Sequence, residues 1–227
     1  YASYATLLLK FPGNEDKAAG LITKAVSLDT LEANKIAYLS SIANAYLDQK
    51  NYLQAGNWFN KIMDVKKNFN NVDLFNAGYA YYNGSQYDSS INVFNKYIEK
   101  YPEDLFGYYM LANNYSSIDT TGMLGLAAPY YKKVIEIGEL DPTKSGTSTR
   151  LGVAYKYFMG YSFNVLKDQT ASLMYADKAL AIDPTDANVI QSREFISKNK
   201  PTGPPPPPAP KSPTDSTGTT KKAAPQQ

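Results

Sequence analysis

The stretch YLSSIANAYLDQKNYLQAGNWFNKIM, residues 38–63, places small and aromatic residues at spacings that recur along the chain. Within it, Ala43 lies three residues before Tyr46, Ala55 nine residues after it and Phe59 thirteen residues after it. The apolar residues follow helical spacing on both sides of a short polar segment. The stretch therefore predicts two helices joined by a turn.

Three later stretches repeat this arrangement, which indicates a chain built from stacked units of similar length. Aligning Tyr46, Tyr81 and Tyr115 gives separations of 35 and 34 residues. The second copy is LFNAGYAYYNGSQYDSSINVFNKYIEKYP, and the third is YMLANNYSSIDTTGMLGLAAPYYKKVIE, with three extra residues in its turn. A fourth copy, KYFMGYSFNVLKDQTASLMYADKALAIDP, carries Gly160 and Phe163 at matching positions. About eleven extra residues precede this fourth copy, so a protruding loop is expected around residues 138–149.

The pattern resembles the tetratricopeptide repeat (TPR), a helix-turn-helix of 34 residues, over about 200 residues of this chain. The stretch KALAIDPTD, residues 178–186, is most similar to the consensus of that family. The resemblance implies an all-α fold, a right-handed α-solenoid of stacked hairpins with a C-terminal capping helix and a disordered Pro-rich tail. The implied repeats span residues 1–33, 36–70, 71–104, 105–141 and 147–184, with the capping helix at 186–199 and the tail at 201–227.

Stacking explains the small and the apolar residues of the pattern, because a single hairpin cannot bury both of its faces. Small residues are expected where helices cross closely, namely Gly78, Ala112 and Gly160. Four apolar residues of the capping helix are expected to face inward: Val189, Ile190, Phe195 and Ile196.

The composition disfavours most enzymatic chemistry. The 227 residues are 43% apolar, enough for a sizeable core, yet they include no Cys and no His. The commonest general base, the commonest metal ligand and every thiol nucleophile are therefore missing. The acidic pairs Glu15–Asp16 and Glu103–Asp104 lie in turns, where acidic residues commonly cap helices. We predict no catalytic residue, no metal site, no cofactor and a chain that is not an enzyme.

The distribution of charge narrows the class of partner. The net charge is +2, and residues 201–227 supply all of it, because three Lys outweigh one Asp there. The remaining body is neutral and has no basic stripe, which argues against nucleic acid as a partner. No apolar run approaches the length of a membrane span. We therefore predict a protein or peptide partner.

The resemblance also implies a binding surface. In TPR proteins the first helix of each hairpin lines a concave face, and peptides are held six residues before, two before and one after the aligned aromatic. These positions form the predicted groove: Ser40, Asn44, Leu47, Phe75, Tyr79, Tyr82, Tyr109, Asn113, Ser116, Tyr157, Tyr161 and Asn164. They include no Lys or Arg, which disfavours the family's clamp for a C-terminal carboxylate. We predict an extended or helical segment of a partner, bound through apolar anchors and backbone contacts, and leave open that the Tyr residues only pack between repeats.

The expected role is a protein-interaction scaffold, an accessory of a bacterial envelope, outer-membrane or secretion assembly within a membrane-associated complex. The bacterial source and periplasmic location rest on the absence of Cys, the 20 Tyr residues and many Asn residues. The chain starts at Tyr1 rather than Met, so an upstream segment is expected, and the sequence leaves open whether it is a signal peptide, a lipid anchor or further repeats. The alternatives are a cytoplasmic adaptor or co-chaperone, the repeat domain of a larger enzyme and a carbohydrate-binding protein. Three alternatives remain for the proline run 204–208: a spacer or unstructured end, a ligand for a Pro-reading module, or a segment that folds back into the chain's own aromatic groove.

Overall fold

The structure is a computed structural model that describes residues 1–11 and 13–203, so the tail from residue 204 lies outside the described residues. The described residues form α-helices and one short π-helix, without any strand, which confirms the all-α class. The α-helices are α1 (Ala2–Leu8), α2 (Glu15–Leu28), α3 (Glu32–Asp48), α4 (Tyr52–Val65), α5 (Asn71–Asn83), α6 (Tyr87–Lys100), α7 (Leu105–Ile118), α8 (Ala128–Gly138), α9 (Thr147–Tyr161), α10 (Gln169–Ile182) and α11 (Ala187–Lys198). The π-helix, Ser162–Leu166, extends α9.

Consecutive helices pack against one another along the whole described chain. The predicted repeat bounds stay a prediction, and α3 begins four residues before the predicted start at residue 36. The first helices of the hairpins are α1, α3, α5, α7 and α9, and the second helices are α2, α4, α6, α8 and α10. The buried apolar residues form three clusters that follow each other from α1 to α11. This chain of local cores is the arrangement expected when each hairpin buries its faces against its neighbours.

Glycines allow aromatic rings to pack directly on helix backbones at two crossings. A Cβ atom added at Gly78 would lie 2.7 Å from Cε2 of Phe94, and one added at Gly56 would lie 2.6 Å from Cδ1 of Tyr81. Both distances are too short for any side chain, so the rings occupy the space that a Cβ would need. The sequence also predicts a close helix crossing at Gly160. That prediction is wrong, because an added Cβ at Gly160 meets no atom within 4 Å. Gly160 lies instead at a surface depression beside the π-helix.

The turn before α5 carries a reciprocal cap. The side-chain oxygen of Asn70 accepts hydrogen bonds from the backbone N–H groups of Val72 and Asp73, and the Asp73 carboxylate accepts from the Asn70 N–H at 2.8 Å. Lys66 donates to the same carboxylate at 2.6 Å. These contacts satisfy N–H groups at the start of α5 that no helical carbonyl can reach.

Replacing Asn70 with Ala should therefore lower the free energy of unfolding by about 1 kcal/mol, because it removes the cap from α5. Urea unfolding followed by circular dichroism measures the change. Asn92, exposed within α6, provides the control, since Asn92→Ala removes no cap and Ala favours the helix. Equal destabilisation by both substitutions would contradict a capping role for Asn70.

The capping helix α11 buries a narrower face than the sequence predicts. Val189 and Ile196 are buried, as predicted, but Ile190 and Phe195 are 46% and 56% exposed. Val189 and Ile196 lie seven residues apart, on one stripe of the helix, and only that stripe faces α10 and α9. No helix among the described residues packs over the outer side of α11, so its flanking apolar residues remain exposed.

The segment between α8 and α9, residues 139–146, is exposed along its length, in the region where a loop was predicted. The first residue of this segment, Glu139, is bound to α9 and α10, because its carboxylate accepts hydrogen bonds from the Tyr155 hydroxyl at 2.7 Å and from Lys178 at 2.6 Å. Gly146 ends it at a φ of +74°, a backbone angle that favours glycine. None of the described helices is long and apolar enough to span a bilayer.

Candidate functional site

The structure places the twelve predicted groove residues on the first helices of four hairpins, with Asn164 on the π-helix. None of the twelve is fully buried, whereas Tyr46 and Tyr81, the aligned aromatics of two of these hairpins, are 3% and 7% exposed. The aligned aromatics of the other two hairpins, Tyr115 and Phe163, are half-buried like most of the twelve, so position within the repeat separates packing from surface aromatics only on α3 and α5. That the surface positions bind a partner stays a prediction.

An aromatic patch, defined as Phe75, Tyr79, Phe106 and Tyr109, covers α5 and α7. The Phe75 and Tyr79 rings stack, with centroids 5.2 Å apart, and the Phe75 ring lies 5.6 Å from that of Phe106 in the next hairpin. Phe75 and Tyr79 are 37% and 42% exposed. The patch is a continuous apolar surface that crosses from one hairpin to the next.

The patch adjoins a basic residue that the repeat positions missed. The Arg150 guanidinium carbon lies 5.3 Å from the ring centroid of Phe106 and 5.8 Å from that of Tyr109, within the range of cation–π attraction. None of the twelve groove positions is Lys or Arg, but the surface around them includes Arg150. The sequence could have identified Arg150, because it precedes Tyr157 by seven residues, which is two turns along the same face of the helix.

Next to the patch, α7 presents an amide. The Tyr131 hydroxyl donates to Oδ1 of Asn113 at 2.8 Å, and the Tyr131 ring lies 4.7 Å from that of Tyr157. Burial raises the pKa of Tyr131 to about 12, so the hydroxyl stays protonated and remains a donor at neutral pH. Because its oxygen accepts this bond, the Asn113 side chain keeps its NH₂ group for another acceptor, such as a backbone carbonyl.

Four predicted groove residues surround one small cavity, about 260 Å³ in volume: Ser116, Tyr157, Tyr161 and Asn164. The other wall is the turn after α7, residues 119–127, which contains the three extra residues of the third repeat. An added Cβ at Gly125 would lie 2.5 Å from the Tyr161 hydroxyl, so this turn closes directly onto α9. The turn also brings Asp119 to the cavity, a residue that alignment by repeat positions did not single out.

The predicted residues of α3 lie apart from this group. Asn44 lines a separate cavity of about 460 Å³ between α1 and α3, and Ser40 and Leu47 are half-buried elsewhere on α3. The predicted groove is therefore divided, with its aromatic and polar members concentrated on α5, α7 and α9. A larger cavity of about 590 Å³ borders α2 and α4 on the second helices, away from all twelve residues.

The described residues contain no group of three or more His, Cys, Asp or Glu side chains that could hold a metal ion. The aromatic patch with Arg150 and the small cavity together present aromatic rings, hydroxyls, amides, one guanidinium and the Asp119 carboxylate. Such groups suit recognition by shape, stacking and hydrogen bonding.

Comparison with known proteins agrees with the repeat pattern. No family model matches the sequence. The C-terminal part of a TPR repeat-containing protein from Cytophaga hutchinsonii superposes with a TM-score of 0.65 at 24% identity, over 84% of this chain and 71% of that one. YrrB, a TPR protein with an unusual peptide-binding site, gives a TM-score of 0.52 at 20% identity, over 86% and 90% of the two chains. The chain has the TPR fold.

A TPR repeat-containing protein of the archaeon Methanocaldococcus jannaschii is 33% identical over 94 residues, 41% of this chain. The match spans only 16% of that relative's length, about a sixth. Because this relative is archaeal, it leaves the bacterial source of the chain a prediction. Within the TPR fold, the first helices α3, α5, α7 and α9 are those that the family resemblance places on the concave face.

Proposed function

We propose that the chain is a non-catalytic scaffold that holds a segment of a partner protein along the first helices α5, α7 and α9. The observation that carries this proposal is the exposed, stacked pair Phe75 and Tyr79 on α5, which continues into the Phe106 ring of the next hairpin. A stacked pair of exposed rings that continues into the next hairpin suits an elongated ligand better than a compact one. The similarity to YrrB, which is a peptide-binding TPR protein, supports the same class of ligand.

The recognition chemistry follows from the side chains on this surface. Phe75 and Tyr79 would anchor apolar side chains of the partner, because aromatic residues supply large contact area at a low cost in side-chain entropy. The NH₂ group of Asn113 would donate to a backbone carbonyl of an extended segment. The partner is therefore expected to present two or more apolar side chains separated by accessible backbone.

A pull-down from the native host tests the groove, using the parent chain and the double variant Tyr79→Ala with Asn113→Ala. Crosslinking mass spectrometry identifies the partner, and titration of the purified pair measures the dissociation constant. We expect the variant to bind at least about tenfold more weakly, because truncating an aromatic anchor commonly costs more than 1 kcal/mol. Both residues lie on the surface, so folding should be retained.

The matched control is Tyr4→Ala with Asn95→Ala, which removes the same side-chain types from exposed positions on α1 and α6. This control should bind like the parent. If the groove variant keeps the parent's affinity for the same partner, the groove proposal is wrong, and the second helices or the 139–146 loop become the surface to examine.

We further propose a location in a bacterial envelope, as an accessory of an outer-membrane or secretion assembly. The support is compositional: the chain has no Cys, which suits an oxidising compartment, and it is rich in Tyr and Asn. Fractionation of the source cells with antibodies against residues 1–200, together with the gene sequence upstream of Tyr1, tests this location. Recovery in the cytoplasmic fraction without an export signal would favour the cytoplasmic adaptor instead.

A further inference from the structure

The cavity between α7, the turn after it and the end of α9 contains an unusual concentration of unpaired polar atoms. Four buried side-chain polar atoms among the described residues have no hydrogen-bond partner in the protein. Three of them belong to residues that line this cavity: Oγ of Ser116, Oδ2 of Asp119 and the hydroxyl oxygen of Tyr157. The Ser116 hydroxyl has the Tyr131 hydroxyl as a hydrogen-bonding neighbour, and the Tyr157 hydroxyl has the Ala128 N–H. Buried polar groups are almost always paired, so the Asp119 oxygen is the atom that indicates a site for a hydrogen-bonding ligand.

The Asp119 carboxylate is the most costly of the three to leave unpaired. The residue is only 6% exposed, and its other oxygen accepts a single bond, from the Thr121 hydroxyl at 3.3 Å. Asp119 forms no ion pair with any described Lys or Arg. It is also the C-cap of α7, where the helix dipole disfavours a negative charge. Stability alone therefore does not account for an acidic residue at this position.

Two departures from the repeat build the cavity. One is the lengthened turn, whose Gly125 backbone packs against the Tyr161 hydroxyl and which brings Asp119 to face α9. The other is the π-helix Ser162–Leu166, which places Asn164 and Val165 on the opposite wall. Single turns of π-helix occur frequently at functional sites. Both departures meet at one cavity, which is continuous with the predicted groove through Ser116 and Tyr157.

The neighbouring hydroxyls reinforce the acceptor character of the cavity. Burial, the adjacent Tyr161 and the charge of Asp119 raise the pKa of Tyr157, and burial and Asp119 also raise the pKa of Tyr161. Both hydroxyls therefore stay neutral at physiological pH. The Tyr157 and Tyr161 rings stack at 5.6 Å and add aromatic surface beside the carboxylate. No Lys or Arg lines the cavity.

We propose that this cavity is a subsite for a basic side chain, preferably Arg, of the peptide that the groove binds. The inference rests on the proposed function, since it assigns one residue class to that peptide. A guanidinium would pair with Asp119 and contact an aromatic ring. The cavity volume of about 260 Å³ is several times the roughly 30 Å³ of one water molecule, so the planar head fits.

Other occupants fit the cavity less well. An anion would meet the Asp119 charge with no basic side chain to offset it. Calcium and magnesium need about six oxygen ligands, commonly including more than one carboxylate, and this cavity offers one carboxylate beside weak hydroxyl ligands. A guanidinium uses the same groups as separate hydrogen-bond acceptors, which is what the unpaired atoms provide.

An NMR titration of the full chain tests the subsite directly. The probe is the peptide acetyl-Ala-Ala-Arg-Ala-Ala-amide, and its neutral counterpart carries citrulline in place of Arg. The amide signals of Gly122 and Gly160 report on the cavity, and that of Gly20 on α2 serves as a remote reference. We expect saturable shifts of the two cavity glycines with a dissociation constant on the order of 1 mM, as for a weak single-residue contact. The citrulline peptide should give no saturable shift.

Asp119→Asn should weaken binding of the Arg peptide by about tenfold, because it removes a charge-assisted hydrogen bond but preserves shape. Asp88→Asn, at an exposed position of α6, is the matched control and should leave the dissociation constant unchanged. Thermal unfolding of Asp119→Asn should occur at the parent's temperature or above it, whereas a purely structural carboxylate would make this variant less stable.

The absence of saturable shifts at about 10 mM peptide, or equal binding of the Arg and citrulline peptides, would overturn the subsite. A loss of stability in Asp119→Asn with unchanged binding would overturn it as well. These outcomes are separate from the groove proposal, which depends on loss of the native partner in the Tyr79 and Asn113 variant. The subsite can fail while that result stands.

Discussion

Replacing Phe94 with Ala should lower the free energy of unfolding by about 3–5 kcal/mol, the range for deleting a buried aromatic ring. Phe94 is completely buried, and its ring lies against the backbone of Gly78. The same ring approaches Phe106 with centroids 6.1 Å apart, so it supports the aromatic patch from below. The cavity left by Ala would loosen the contact between the hairpin α5–α6 and the hairpin α7–α8.

Urea unfolding measured by two signals checks this expectation. Circular dichroism reports all helices, and fluorescence of Trp58, the single Trp, reports α4 in the preceding hairpin. We expect both midpoints to fall, and a gap between them would show that the hairpins no longer unfold together. The control is Phe195→Ala on α11, where the ring is 56% exposed and the cost should be below about 1 kcal/mol. Similar losses in both variants would contradict this account of the core.

Replacing Gly78 with Ala should lower the free energy of unfolding by about 1–3 kcal/mol, although Ala is the better helix former. The new methyl carbon would lie 2.7–2.8 Å from the Phe94 ring, which is itself enclosed and cannot move aside freely. The clash therefore exceeds the gain of about 1 kcal/mol that Ala contributes within a helix. Thermal and urea unfolding of the purified variant measure the net effect.

The same substitution should have the opposite sign at Gly20. Gly20 lies in the interior of α2, and an added Cβ there meets no atom within 4 Å. Gly20→Ala should therefore raise the free energy of unfolding by about 0.5–1 kcal/mol, through backbone entropy alone. Stabilisation by Ala at both glycines would contradict the close packing of Phe94 on α5.

The sequence predicted the repeated hairpins because their spacing is a local property. Small residues and aromatics at set distances from Tyr46 and Tyr81 identify helices, turns and the side on which each residue lies. The same spacing separated the exposed positions Phe75 and Tyr79 from the buried Tyr81. It failed at Gly160, where an added Cβ meets no atom within 4 Å, and at Phe195, whose ring is 56% exposed although it lies 6.0 Å from the Phe163 ring.

The polar cavity shows the limit of that reasoning at the candidate site. The alignment detected the three extra residues after α7 but could not say where their turn would lie. Asp119 and the π-helix have no repeat position from which a role could be inferred, and Arg150 is linked to the groove only by its helical spacing from Tyr157. Their importance depends on which hairpin surfaces they meet, and those contacts join residues far apart in the chain.

By itself, the sequence determined an all-α TPR-like solenoid and the division into first and second helices. These follow from helical periodicity and from the need of each hairpin to bury its faces against its neighbours. Only the tertiary structure decided that Arg150 covers the aromatic patch and that Asp119 is buried without an ion pair beside Tyr157. The packing of one hairpin on the next determines which side chains are buried and which charges are paired. A repeat pattern predicts only the contacts that all hairpins have in common.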